Sequence, residues 1–352
     1  MTYQFNFGEP EKQQVSKRMT FEELLVSNID PLNQLVASFI PRGEHPDMNA
    51  YLYDPLAAYS ANAGKRHRPF ICLLACMACK GKVERAYSVA AALEHFHTAA
   101  LIHDDIADEA FLRRGEPCLH RRIGLGLAIN CGDLGLSLVN GTVIKDPLLD
   151  STTKLRLIEE LIDMTQRTIE GQALDIGWAR TGRYDISEED YLVMARHKTA
   201  YYSGALPLAL GAIAANATED TIRALRSFGM DIGLAFQIQD DLLNLVGSLE
   251  STKKDFRVDI TEGKRTLITI YALNQGQYRD ELIELLESRT SDATKLGRAV
   301  EILQSLGAIE YARNYALSLT KEAKERMSKE IPQNSARDYL LEMADWFVDR
   351  LQ

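Results

Sequence analysis

From residue 51 onward, apolar side chains recur at helical spacing in one block after another, punctuated by Gly, Pro and Asn, and no stretch alternates apolar and polar residues as a half-buried strand would. The blocks at 83–103, 152–176, 188–215, 221–245, 278–287, 294–327 and 335–351 are rich in Ala, Leu, Glu and Arg and poor in β-branched runs. This pattern restricts the chain to an all-α architecture. No repeat of twenty to fifty residues and no Ser/Gly/Pro-rich linker interrupts it. The expected organisation is therefore a single all-α domain over 46–352, preceded at 1–45 by a helical arm. In that arm Phe21, Leu24, Leu25, Leu32, Leu35, Val36 and Phe39 recur at helical spacing over 21–39. With 352 residues, 46% of them hydrophobic, the chain has the apolar mass for a substantial core.

Fifty acidic against forty basic side chains give a net charge of −10, which argues against a general nucleic-acid binder whose affinity comes from counterion release. The cysteine count is odd, at five, and the first thirty residues carry no secretory signal, so reduced thiols and a cytoplasmic protein are expected. No transmembrane segment is expected, because the longest apolar stretches are short and interrupted by polar groups. Cys72, Cys76 and Cys79 share one helical stripe, but no His or fourth Cys completes a soft-metal set, and core packing is the expected role.

Two acidic clusters carry the chemistry. At 103–108 the chain reads H-D-D-I-A-D, with Asp104 and Asp108 one turn apart on one helix face and Asp105 beside them. At 237–244 it reads Q-I-Q-D-D-L-L-N, where Asp240 and Asn244 repeat the spacing and Asp241 is adjacent. Each cluster follows an apolar helix, and about 136 residues separate them. Helical bundles build metal sites from inward-facing carboxylates of this kind, and oxygen ligands at this spacing suit Mg²⁺. A di-iron centre would need two Glu-x-x-His pairs, and Glu94-His95-Phe96-His97 offers one.

Cations lie near both clusters: Lys65, Arg66 and Arg68 in G-K-R-H-R-P, Arg113 and Arg114 in R-R-G, Lys198 in K-T-A, and Lys253, Lys254, Lys264 and Arg265 after the second cluster. Such side chains are the usual partners of phosphate. No phosphate-binding loop of the G-x-x-x-x-G-K-[ST] type, no G-x-G-x-x-G after a strand and no G-x-S-x-G elbow is present.

In order along the chain, G-K-R-H-R-P, D-D-I-A-D with R-R-G, K-T and F-Q-I-Q-D-D resemble the motifs of the trans-isoprenyl diphosphate synthase (polyprenyl synthetase) family. The likeness runs from about Ala63 to Leu273 and takes in R-R-G-E-P-C-L-H, A-I-N-C-G-D, E-G-Q-A-L-D and E-G-K-R-T. The resemblance implies one large helical bundle of the isoprenoid synthase type with a central cavity. It implies a homodimer, and a reaction joining isopentenyl diphosphate to an allylic diphosphate (dimethylallyl, geranyl or farnesyl) with three Mg²⁺ ions. Carried over by position, Asp104, Asp105, Asp108, Asp240, Asp241 and Asn244 match the metal-binding groups. Lys65, Arg68, His97 and Arg114 match contacts to isopentenyl diphosphate; Arg113, Lys198, Thr199, Gln237, Lys254 and Lys264 match contacts to the allylic diphosphate. Asp104, Asp108, Asp240, Lys198 and Arg113 are the expected catalytic set. Departures from the family pattern are Ala63 for a glycine, Cys118 where Thr is common, and Asn244 at the third acidic place.

In this family product length is set by side-chain bulk on the helix before the first cluster. Ala99 and Ala100 are too small to stop a fifteen-carbon chain, whereas Phe96, eight residues before Asp104 and about 5.4 Å deeper than the alanines, is the expected floor. The implied product is geranylgeranyl diphosphate, and a longer product is the alternative. A class I terpene cyclase would share the fold but not need Lys65, Arg68 and Arg114. A noncatalytic regulatory subunit would not need both acidic clusters.

Overall fold

A computed structural model of the chain describes residues 3–7, 18–62, 64–246 and 257–349. It is all-α. The helices are α1 (Phe21–Ser27), α2 (Ile29–Ser38), α3 (Asp54–Ala61), α4 (His67–Ala78), α5 (Tyr87–Ala107), α6 (Leu119–Ile123), α7 (Leu125–Ile144), α8 (Ser151–Arg180) and α9 (Glu188–Ala195). After a π-helical segment at Arg196–Ala205 come α10 (Leu206–Ala214), α11 (Glu219–Val246), α12 (Leu267–Asn274), α13 (Arg279–Glu287), α14 (Ala293–Ser305), α15 (Ala308–Glu330) and α16 (Ser335–Val348). Strands β1 (Leu112–Arg113) and β2 (Glu116–Pro117) form one short antiparallel hairpin, pairing Arg113 with Glu116.

Two expected helices are broken. The arm divides at Asn28, whose buried side-chain amide donates to the Leu24 carbonyl (2.8 Å) and to that of Asn6 (2.6 Å), a local competitor for the helical ladder. The block at 294–327 divides at Gly307, where φ is 72°, a conformation that glycine adopts without steric cost. Starts follow ordinary capping chemistry: Thr20 with Glu23 and Ser187 with Asp190 form reciprocal capping boxes at α1 and α9.

The chain forms two compact units. The first comprises Met1–Asp163, Leu206–Arg226 and Glu330–Met343, so the arm belongs to it. Phe21, Leu24, Leu25, Leu32, Leu35 and Val36 are buried, and Phe21 packs on Phe70 of α4 with ring centroids 6.0 Å apart. Close helix approaches in this unit depend on missing side chains. A Cβ on Gly211 of α10 would sit 2.2 Å from the Cys72 carbonyl oxygen of α4, and one on Gly132 of α7 would sit 2.3 Å from His103 Nε2 of α5. Helix α7 is long and apolar enough to cross a membrane by length and composition, but it packs along α5 through Ala128, Cys131, Gly132 and Gly135.

The second unit comprises Met164–Ala205, Ser227–Lys329 and the chain from Ala344. Its core gathers Tyr191, Leu234, Ile238, Leu242, Leu267, Ile302 and Leu303. The π-helical segment lies against α11 at Gly204, Gly229 and Gly233, where an added Cβ would come within 2.1–2.6 Å of backbone atoms. Gly171 of α8 likewise admits the backbone of Lys198, whose nitrogen would be 2.2 Å from a Cβ there.

Candidate active site

Within the first unit the G-K-R-H-R-P loop sends its basic residues in different directions. Lys65 is exposed. Arg66, at φ 52° and ψ 24° before α4, turns inward and is buried. Its Nε donates to Asn33 Oδ1 (2.7 Å), and its two terminal nitrogens reach Glu94 Oε1 and the Ser60 carbonyl. Arg68, on the first turn of α4, is buried beside His97 of α5 and Arg114 of the hairpin turn. Burial, and after it Arg68, Arg114, His67 and Arg66, hold the His97 imidazole far below its usual range, so it is neutral. Burial, partly offset by Glu94, also pulls Arg114 down, and Arg66 adds to that effect. The structure thus brings together Arg68, His97 and Arg114, three residues from three separate segments. The concentration of positive charge around a neutral imidazole suits an anion.

The first acidic cluster ends α5. Asp104 and Asp108 are half-buried, whereas Asp105 is 1% exposed. Asp105 accepts from Tyr59 Oη (2.6 Å) and Arg113 Nε (2.7 Å), and Arg113 Nη2 also reaches Asp104 at 3.3 Å. The β-hairpin is what returns Arg113 to the end of α5. Burial and the Asp105 charge raise the Tyr59 phenol well above its usual range, so it is a donor.

The second cluster lies on α11, in the second unit. Asp240 is half-buried; Asp241 is buried and accepts from Gln237 Nε2 (2.7 Å) and Tyr191 Oη (3.0 Å). No ion pair to Asp241 occurs among the described residues. Burial and then the charge of Asp259 push Asp241 well above the ordinary carboxylate range, against the pull of its two hydrogen bonds. Asn244 Oδ1 accepts the backbone N–H of Asp259 (3.1 Å). Lys198 pairs with buried Asp175, Thr199 beside it is buried, and Lys264 pairs with Glu262 (2.7 Å) and Asp259 (3.8 Å). Lys254, with Lys253, lies outside the described residues.

Of the residues expected to limit product length, Phe96 and Ala99 are buried and Ala100 is half-buried. Ala99 faces α7, since a Cβ on Gly135 would lie 3.0 Å from its own.

Four participants were not singled out from the sequence, and a fifth was read in another part. Tyr59, Tyr191, Asp175 and Asp259 have no spacing that marks them, although Asp175 lies within E-G-Q-A-L-D. Glu94 reads as half of a metal motif, but here it is the counter-ion of Arg66.

No three His, Cys, Asp or Glu side chains among the described residues converge into a ready-made metal cage. Mg²⁺ does not require one, because it takes one or two carboxylates and completes its shell with water and phosphate oxygens. Hard carboxylate donors fit that ion, among them buried Asp241, which lies near Asp259 and has no ion pair among the described residues.

The polyprenyl synthetase family model matches residues 49–303. A short chain isoprenyl diphosphate synthase of Methanothermobacter thermautotrophicus is 39% identical over 289 residues, covering 82% of this chain and 86% of the relative. A geranylfarnesyl diphosphate synthase of Natronomonas pharaonis is 35% identical over 318 residues, covering 84% and 91%. Among solved structures, a geranylgeranyl pyrophosphate synthetase from Pyrococcus horikoshii superposes with a TM-score of 0.85 at 28% identity, covering 94% of this chain and 98% of that one. With the motifs in order and this breadth of match, the chain belongs to the polyprenyl synthetase family of prenyltransferases.

Proposed function

We propose that this protein condenses isopentenyl diphosphate with an allylic diphosphate to give geranylgeranyl diphosphate, working in the cytoplasm as a homodimer. The observation that carries the reading is the pair of buried Arg68 and half-buried Arg114 around neutral His97, in the same unit as the half-buried carboxylates Asp104 and Asp108. Lys65, Arg68, His97 and Arg114 hold the diphosphate of isopentenyl diphosphate. Arg113, Lys198, Thr199, Gln237, Lys264 and Lys254 contact the allylic diphosphate. Asp104, Asp108 and Asp240, with Asp105, Asp241 and Asn244 adjacent, would hold three Mg²⁺ ions, which supply positive charge to a departing diphosphate.

The allylic carbon–oxygen bond breaks, the electron pair leaves with the diphosphate, and the isopentenyl double bond attacks the allylic cation. That attack leaves a tertiary cation on the isopentenyl unit, and loss of a proton from its C2 to the released diphosphate re-forms a double bond. Arg113 is fixed for its role by Asp105, and Lys198 by Asp175. A homodimer is supported by large exposed apolar residues: Leu125, Leu127, Ile129 and Ile144 on α7, and Leu155, Ile162 and Ile169 at seven-residue spacing on α8.

The test is incubation of the purified chain with isopentenyl and farnesyl diphosphates, with and without Mg²⁺, followed by mass analysis of the dephosphorylated alcohols. A metal-dependent twenty-carbon alcohol is expected; longer alcohols would keep the synthase and overturn the product, and no elongation would overturn both. Ala100→Phe should shorten the product and Phe96→Ala lengthen it. An unchanged profile would remove the named residue from chain-length control.

A further inference from the structure

The arm at 18–38 lies outside the span matched by the family model, yet it reaches the loop that bears Lys65 and Arg68. Arg66 is the junction. Its side chain is 1% exposed and that of its partner Glu94 is 3%, so the pair is sealed from water. Three segments converge on its guanidinium: Asn33 from α2, the Ser60 carbonyl from α3 and Glu94 from α5.

The backbone of Arg66 is left-handed, a conformation unfavourable for a residue with a side chain, which persists where surrounding contacts over-determine it. That turn separates exposed Lys65 from buried Arg68. Gly64 continues the linkage, because a Cβ there would lie 2.9 Å from Arg66 Nη1 and 3.2 Å from Arg114 Nη1. Displacing Arg66 therefore displaces the loop that packs on Arg114.

The arm is itself firmly seated. Asn28 exchanges two hydrogen bonds with the backbone of Asn6 (2.8 and 2.6 Å), Leu32, Leu35 and Val36 are buried, and Asn33 lies between them on the same helix.

We infer that the N-terminal arm is a positioning element of the isopentenyl diphosphate site: Asn33 holds Arg66, and Arg66 holds the loop carrying Lys65 and Arg68 in register with Arg114. The inference rests on the proposed function for the identity of the ligand. Its stated consequence is selective, because the arm governs the homoallylic diphosphate and leaves the allylic one alone.

The experiment uses the full chain with Asn33→Leu, which removes the acceptor at similar size, and Asn33→Asp, which restores it. For Asn33→Leu the KM for isopentenyl diphosphate should rise about tenfold, near the lower limit for loss of one charge-assisted hydrogen bond. Its kcat and allylic KM should stay within about twofold, and Asn33→Asp should bring the raised KM back to near the parent value. An unchanged isopentenyl KM in Asn33→Leu would overturn the inference. So would an equal fall in all parameters that tracks a lower Tm and is not rescued by Asn33→Asp. If the parent chain does not elongate, the functional reading fails by itself. Calorimetry with inorganic diphosphate in the absence of Mg²⁺ then decides the arm's role: weaker binding by Asn33→Leu supports it, and equal binding overturns it.

Discussion

At the first acidic cluster the inward carboxylate, Asp105, meets a tyrosine and an arginine; at the second, Asp241 meets a tyrosine and an amide. The sequence pattern is nearly the same in both. What differs is the charge supplied around it. The hairpin that follows α5 returns Arg113 to Asp105, so protein groups alone balance this carboxylate. Asp241 instead shares its surroundings with Asp259 and Asp175, and its own hydrogen bonds only partly offset burial and their repulsion. The first cluster is thus organised before any cation arrives, whereas the second gains most from one.

This contrast can be broken by one isosteric substitution at each site. Asp105→Asn should destabilise the protein by about 3 kcal/mol, because Arg113 loses its main partner in a mostly buried setting. Asp241→Asn should have the opposite sign. A carboxyl whose folded pKa is raised contributes stability below its unfolded pKa and loses it as pH rises toward the folded value. Metal-free protein should therefore weaken from about pH 4 upward through this group, and Asp241→Asn should remove that slope. Urea unfolding at pH 5 and pH 8, in chelator, measures both; equal destabilisation by the two variants would abolish the distinction.

The tyrosines sharpen the same comparison at smaller amplitude. Tyr59→Phe should cost about 2 kcal/mol, since its 2.6 Å bond goes to a buried carboxylate that also accepts from Arg113. Tyr191→Phe should cost nearer 1 kcal/mol, since its 3.0 Å bond goes to a carboxyl already pushed toward its neutral form. Thermal unfolding of the two variants at pH 7 in chelator would show whether that order holds.

Much of the fold was legible because helical periodicity reports burial directly, as the buried stripe of Leu32, Leu35 and Val36 illustrates. The breaks at Asn28 and Gly307 were less so. One depends on an amide that prefers backbone partners 4 and 22 residues away, the other on a left-handed turn that spacing does not encode. At the site, the motifs marked Arg68, His97 and Arg114, and the fold brings these together. They left Arg66 out of the contact set but gave it no role of its own. A run such as K-R-H-R carries charge but not direction, and only the inward turn at φ 52° reveals that one of these cations serves Glu94. Asp175 and Asp259 escaped notice for a related reason. Each is a single carboxylate whose significance comes from a long-range neighbour, Lys198 in one case and Asp241 in the other.

The partners of Arg66 also bear on the order in which the protein is made. Asn33, Ser60 and Glu94 all precede residue 95, so the lock on this loop draws only on chain that leaves the ribosome before the second acidic cluster has been synthesised. A nascent chain can thus set the cationic loop early, before the carboxylates of the second cluster exist.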